Sequence, residues 1–385
     1  MNDPTLFDPL VIGTSLEPME ETGDLHQYLS ESARPEMAAV RRFWEHAFVD
    51  YPKAAKPAFV DRFRGEEFRE ALFELYVFSL LRAEGYRPEV PPEVANESTP
   101  DFAVTDSHGK RIYVEAFTVD CNPALTHTEE MLAPLKVALG RLQRPMGLAL
   151  KLRRSSKSPL PHGKMARDID AWLASEELVA LATQASANGV TSVRRVFDKA
   201  GWQIEIEAHI AGPFSRPGSQ GVGGVALCST GVHCLDPARP LAKRLKNKAG
   251  RYDVDGPLVL AVSPSTFGIL CDDIESVLYG PTWASHSLDG TIAIRRKGGG
   301  LWTYNDGTAR NRNIPAVIMC PNVLPATIGS VTPVSYHCPD PRFPLNGFLP
   351  RCTQATLADL EVRYSDGLMG REYFGLSEHW PHARL

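Results

Sequence analysis

Two carboxylates, Asp101 and Glu115, carry the clearest chemical potential in the chain, within the stretch STPDFAVTDSHGKRIYVEAFT (residues 98–118). Asp106 and Lys110 close a turn centred on His108, so Val104 faces Ile112, Phe102 faces Val114, Ala103 faces Tyr113 and Asp101 faces Glu115. One face of this hairpin, Phe102, Val104, Ile112 and Val114, is apolar and suits a core. The other brings the two acids to about 5 Å between Cβ atoms, where like charges destabilise unless a cation lies between them or one is protonated. They could equally be solvated at a strand end. As a cation site, two carboxylates on a rigid sheet facing water suit Mg²⁺ that keeps most of its waters, with Mn²⁺ as a substitute. Such an ion activates water for attack on a phosphodiester.

Two helices must flank that hairpin. GEEFREALFELYVFSLLRAEGY, residues 65–86, presents Phe68, Leu72, Leu75, Tyr76, Leu80 and Leu81, and Gly85 stops it. Glu70 and Glu74 on a helix this apolar ask for a reason. Glu74 either pairs with Arg82 or a neighbouring base, or supports a cation through water. Downstream, residues 239–251 contain Arg239, Lys243, Arg244, Lys246, Lys248 and Arg251 and no acid. Arg244, Lys248 and Tyr252 share one face, while Leu241, Leu245 and Ala249 pack beneath. A basic face of this kind is either solvated or turned to phosphates.

Pro100-Asp101, a turn, a strand carrying Glu115 and a preceding helix with Glu74 together resemble the PD-(D/E)xK nuclease superfamily, over roughly residues 66–118 and 236–263. The resemblance implies a restriction-endonuclease-like α/β (α+β) fold: a central mixed sheet flanked by helices, with a large insertion after the third core element and a C-terminal extension. It implies that Asp101 and Glu115 hold Mg²⁺, that Glu74 assists, and that cleavage of nucleic acid, DNA before RNA, leaves a 5′-phosphate. The lysine two residues after the strand acid is replaced by Phe117. Some members supply it from the following helix, where Lys248, then Lys246, is placed to do so. Lys243, Arg244, Lys246 and Arg251 are the candidate nucleic-acid contacts. The alternative is a nuclease fold that no longer cuts and serves as a nucleic-acid-binding or protein-interaction module; a small-molecule phosphoesterase on another fold is a third reading.

The bulk of the chain fits this frame. It has 385 residues, 43% hydrophobic and 23% charged, with a net charge of −5, so a basic surface must be local. Its seven cysteines show no repeated spacing, as expected of free thiols in a cytoplasmic protein. No run of about 18 apolar residues predicts a membrane span, and no basic, apolar leader is evident at Met1. Residues 1–34, with seven acids and one base, read as a mobile or loosely docked arm. Residues 35–119 and 236–335 read as the core, 120–235 as an insertion or subdomain, and 336–385 as an extension with helical pieces; a homodimer is compatible with it. Cys228, His233 and Cys234, and the pair His337-Cys338, lack zinc spacing. RKGGGLW (296–302) and GTARNRN (307–313) set basic groups near glycines, as phosphate contacts or as plain turns. GSQGVGG (218–224) lacks the ending of a phosphate loop.

Overall fold

A computed structural model describes residues 4–10, 12–13, 24–91, 99–121, 131–132, 134–135, 138–139, 147–156, 158–175, 192–209, 227–229, 238–265, 269, 271–286, 292–304, 306–345 and 347–381. The chain forms two compact units: Met1–Glu17, Leu25–Asn122 and Asp236–Leu385 make one, Pro18–Asp24 and Pro123–Leu235 the other.

The first unit is a mixed α/β body. It opens with α1 (Leu25–Glu31), α2 (Pro35–Val49), α3 (Lys56–Arg64) and α4 (Phe68–Ala83), then the hairpin β1 (Phe102–Thr105) and β2 (Arg111–Asp120). The smaller unit supplies β3 (Gly147–Arg154), α5 (His162–Leu173), β4 (Ser192–Lys199), β5 (Trp202–His209) and β6 (Leu227–Ser229). Its four strands run in the order β4-β5-β3-β6 over a core that includes Leu148, Leu150, Trp172, Ile204 and Ile206. The chain returns to the first unit with α6 (Ala238–Ala249), β7 (Leu258–Ser265), α7 (Cys271–Tyr279) and the hairpin β8 (Thr282–His286) and β9 (Ile292–Arg296). β10 (Ala316–Met319), β11 (Val334–His337), β12 (Thr353–Ala358), β13 (Glu361–Tyr364) and α8 (Gly370–Tyr373) follow.

A seven-stranded sheet of order β1-β2-β7-β10-β11-β12-β13 is the centre of the larger unit. β2, β7 and β10 are parallel, β1 is antiparallel to β2, and Glu115 sits beside Leu260. β7 is an apolar run because both of its faces are covered. The period-2 alternation of side chains sorts the layers. Phe102, Val104, Ile112, Val114, Val259 and Ala261 pack on the α2–α4 side, with Trp44, Phe63 and Leu72. Ala103, Tyr113, Phe117, Leu258, Leu260 and Val262 pack on the other, with Leu241, Leu245 and Ala249 of α6 and Ile274 and Leu278 of α7.

The hairpin register is Phe102↔Val114, Ala103↔Tyr113, Val104↔Ile112, as the turn chemistry dictates. Asp106 accepts the His108 and Lys110 N–H groups, and Gly109 takes the positive φ of +80° that the turn requires. α4 ends in a Schellman arrangement, Tyr86 N–H to Leu81 and Gly85 N–H to Arg82, with Gly85 at φ +89°. The region after residue 335 differs from its sequence reading. β11, β12 and β13 complete the sheet and α8 is a helical piece beyond them; these strands are short, carry several polar residues and are separated by a proline-containing stretch, so they give no clear period. In the acidic N-terminal segment, Leu6 and Phe7 are buried in the α2–α4 core, and Phe7 stacks on His26. Among the described residues no helix is long and apolar enough to cross a membrane.

Candidate active site

Asp101 lies one residue before β1, where its Oδ2 accepts the Ala116 N–H of β2 at 2.7 Å. That bond pins the carboxylate to the neighbouring strand. Glu115 projects from the middle of β2 on the face shared with Tyr113 and Phe117, and only 2% of it is exposed. The sequence reading has this face open to water. It is covered by α6 instead, because its apolar neighbours need a layer over them.

α6 brings one charge in with that layer. Lys248 shares the docked stripe with Leu241, Leu245 and Ala249, is 8% exposed, and donates from Nζ to Glu115 Oε1. Its ammonium lies 5.3 Å from the centroid of the Phe117 ring. The residue that replaces the expected lysine therefore forms the platform beneath the lysine that arrives from the helix. The Tyr252 hydroxyl, one turn further on, lies close enough to the same carboxylate that burial and then the Glu115 charge push the phenol up. Glu115 Oε2 is buried and has no hydrogen-bond partner.

Burial, then the charges of Glu115 and Glu74, hold the Asp101 carboxyl well above the usual carboxylate range, against the opposing pull of the Ala116 N–H and Lys248. Glu74 itself is turned elsewhere. Buried in α4, it accepts the Tyr51 hydroxyl on Oε1 at 2.6 Å and Arg62 Nη2 on Oε2 at 2.7 Å. Arg82, the helical partner considered from spacing, pairs with Asp50 at 2.9 Å. Glu74 thus reaches the pair through its charge, with both of its oxygens already engaged. Burial and then the Glu74 charge push the Tyr51 phenol up, so it remains a donor. Glu70 accepts the Thr118 hydroxyl at 3.1 Å near the surface.

The remaining basic residues stay outside. Lys243, Arg244, Lys246 and Arg251 are exposed on or just beyond α6, with Arg244 5.9 Å from the Phe117 ring centroid and Arg251 5.6 Å from that of Tyr252. Lys243, Arg244 and Asn247 line a cleft against Thr118, Val119 and Asp120 at the end of β2. Arg62 and Tyr51 escaped the sequence reading, since they reach Glu74 from other elements and follow no periodic spacing. Phe117, the residue in the lysine position, shares the Glu115 face because it lies two residues further along the strand.

These residues fit a hard cation of limited protein coordination. Among the described residues no group of three or more His, Cys, Asp or Glu could enclose a metal. Glu115 nevertheless keeps a buried carboxylate oxygen without a partner beside an acid that its charge opposes, and Mg²⁺ is commonly held by one or two carboxylates. Other motifs serve the fold. Arg296 pairs with Glu275, Arg310 and Asn311 bond the Leu301 carbonyl, and His337 bonds Gln354. Cys121, Cys271, Cys320, Cys338 and Cys352 are free thiols. GSQGVGG, His233, Cys234 and the side chain of Cys228 lie outside the described residues.

No family model matches the chain, and neither a curated protein nor a solved structure matches it.

Proposed function

We propose that this chain is a metal-dependent nuclease, hydrolysing phosphodiester bonds of nucleic acid, DNA before RNA, on a restriction-endonuclease-like core. The observation that carries the reading is the Lys248 ammonium on Glu115 beside Asp101, which puts a lysine from the following helix at the acid pair where the strand offers Phe117. Asp101 and Glu115 would hold Mg²⁺ or Mn²⁺, which supplies Lewis-acid polarisation of a phosphoryl oxygen and a more acidic water. The chain's own groups do the rest. Lys248, nearly out of solvent, faces the charge that builds on the phosphoryl oxygens, where a fixed cation counts for more than in water. Phe117 and Tyr252 set the position of the ammonium and the carboxylate. Lys243, Arg244, Lys246 and Arg251 neutralise flanking phosphates.

The test is cleavage of single- and double-stranded DNA and RNA by purified protein with Mn²⁺ or Mg²⁺. The expected result is cleavage lost on chelation and in Asp101→Asn, whose side chain keeps the acceptor for Ala116. Failure of the wild-type protein to cut any form contradicts the proposal. One observation favours the non-cutting alternative: Glu115 and Lys248 already form a buried, mutually neutralising pair. Under that reading nucleic acid binds without cleavage, and Asp101→Asn leaves the affinity unchanged.

A further inference from the structure

Just beyond the end of α6, Tyr252 lines a second cavity, of about 320 Å³, together with residues 253–255, 310–313, 342 and 343. Tyr252 links it to the site, since the same residue lines the cavity and feels the charge of Glu115. Part of the lining is already engaged in bonds of the fold. Arg310 Nε and Asn311 Nδ2 both donate to the Leu301 carbonyl, and Arg312 Nη2 pairs with Asp340 at 2.9 Å.

Three further lining side chains are different. The Asn313 amide, the Asp255 carboxylate and the Arg342 guanidinium have no hydrogen-bond or ion-pair partner among the described residues. Arg342 instead lies over Phe343, 5.1 Å from the ring centroid, which presents a planar cation backed by an aromatic ring. Donors and acceptors are both represented, and the lining holds arginines and aspartates together. A phosphate needs donors alone and is repelled by carboxylates. A planar, neutral group with hydrogen-bonding edges suits this lining, because it can stack on a guanidinium or aromatic plane while an amide and a carboxylate read its edge.

We infer that this cavity takes an unpaired nucleobase of the substrate strand, next to the phosphodiester held at Asp101, Glu115 and Lys248. The inference rests on the nuclease reading and names its substrate: a strand whose base beside the cut is free of Watson–Crick pairing. Bases are read on such edges only when unstacked and unpaired, so a continuous duplex is a poor substrate.

The experiment uses the full chain with Mn²⁺ and single-stranded oligonucleotides in which one abasic residue is moved stepwise past the cleavage position. Wild-type protein is expected to lose about tenfold or more in rate at one flanking position, as removal of one stacked, hydrogen-bonded base removes about 1–3 kcal/mol. Arg342→Ala and Asn313→Ala should be slower on the intact strand and indifferent to the abasic position. Arg342 is exposed and its side chain bonds nothing in the fold, so that variant should fold normally. The inference is overturned if the strand is cut equally at every abasic position, or if a blunt duplex is cut as fast as the single strand. Absence of any cleavage, intact strand included, instead overturns the nuclease reading.

Discussion

Glu74 and Glu115 are both buried carboxylates facing a cation, yet their surroundings differ in kind. Glu74 has both oxygens engaged, one by Tyr51 and one by Arg62, and Arg62 is itself steadied by Glu67 at 3.0 Å. Glu115 shares one oxygen with Lys248, leaves the other without a partner, and stands beside a second acid whose ionisation it opposes. A satisfied buried network specifies structure, whereas an unsatisfied one marks a place where something else completes the bonding. On the proposed reading, the difference leaves Glu74 to hold the α3–α4 corner, with its charge near Asp101, and leaves Asp101 with Glu115 to hold a cation.

That contrast can be broken by mutation. The largest effect is expected from Lys248→Ala, which strands Glu115 as a buried, uncompensated charge and should cost about 3–5 kcal/mol in a urea melt. Replacing both partners, Lys248→Met with Glu115→Leu, should restore most of that stability while removing divalent-cation binding. Wild-type stability in Lys248→Ala would show that the pair is not desolvated.

Tyr51→Phe removes one charge-assisted hydrogen bond from Glu74 and should cost about 1.5–3 kcal/mol, with cation affinity unchanged. Loss of cation binding in this variant would erase the distinction between the two carboxylates. The smallest effect is expected from Asp101→Asn in EDTA, a stabilisation of up to about 1 kcal/mol from relief of the like-charge contact. Its sign follows from linkage. A carboxyl whose folded pKa is raised favours the fold below its unfolded value, about 3.9, and loses that advantage as pH rises through the folded pKa. The gain of the variant should therefore appear on the alkaline side in thermal melts and vanish near pH 4.

Much of the site was legible because its determinants are local. Asp106, Gly109 and the alternation of Phe102 to Val104 against Ile112 to Val114 fix the hairpin within about a dozen residues, and with it the approach of Asp101 to Glu115. Lys248 was legible from the 3.6-residue spacing that groups it with Arg244 and Tyr252. What escaped notice depends on distance in sequence. Arg62 and Tyr51 find Glu74 only once α3 and α2 have packed on α4, and nothing in DRFRGEEF marks that meeting. The cover over Glu115 also follows from packing: the basic helix reads as a surface, yet its Leu241 and Leu245 stripe carries Lys248 inward. The terminal strands β11–β13 are too short, and their burial alternates too little, to give a clear period.

Mn²⁺ binding followed by electron paramagnetic resonance distinguishes a cation held by Asp101 and Glu115 from one held near Glu74. A tight Mn²⁺ site is expected in the wild-type chain and in Tyr51→Phe, and its loss in both Asp101→Asn and Glu115→Gln. Mn²⁺ binding that is equal in all four proteins, or absent from the wild type, would contradict it.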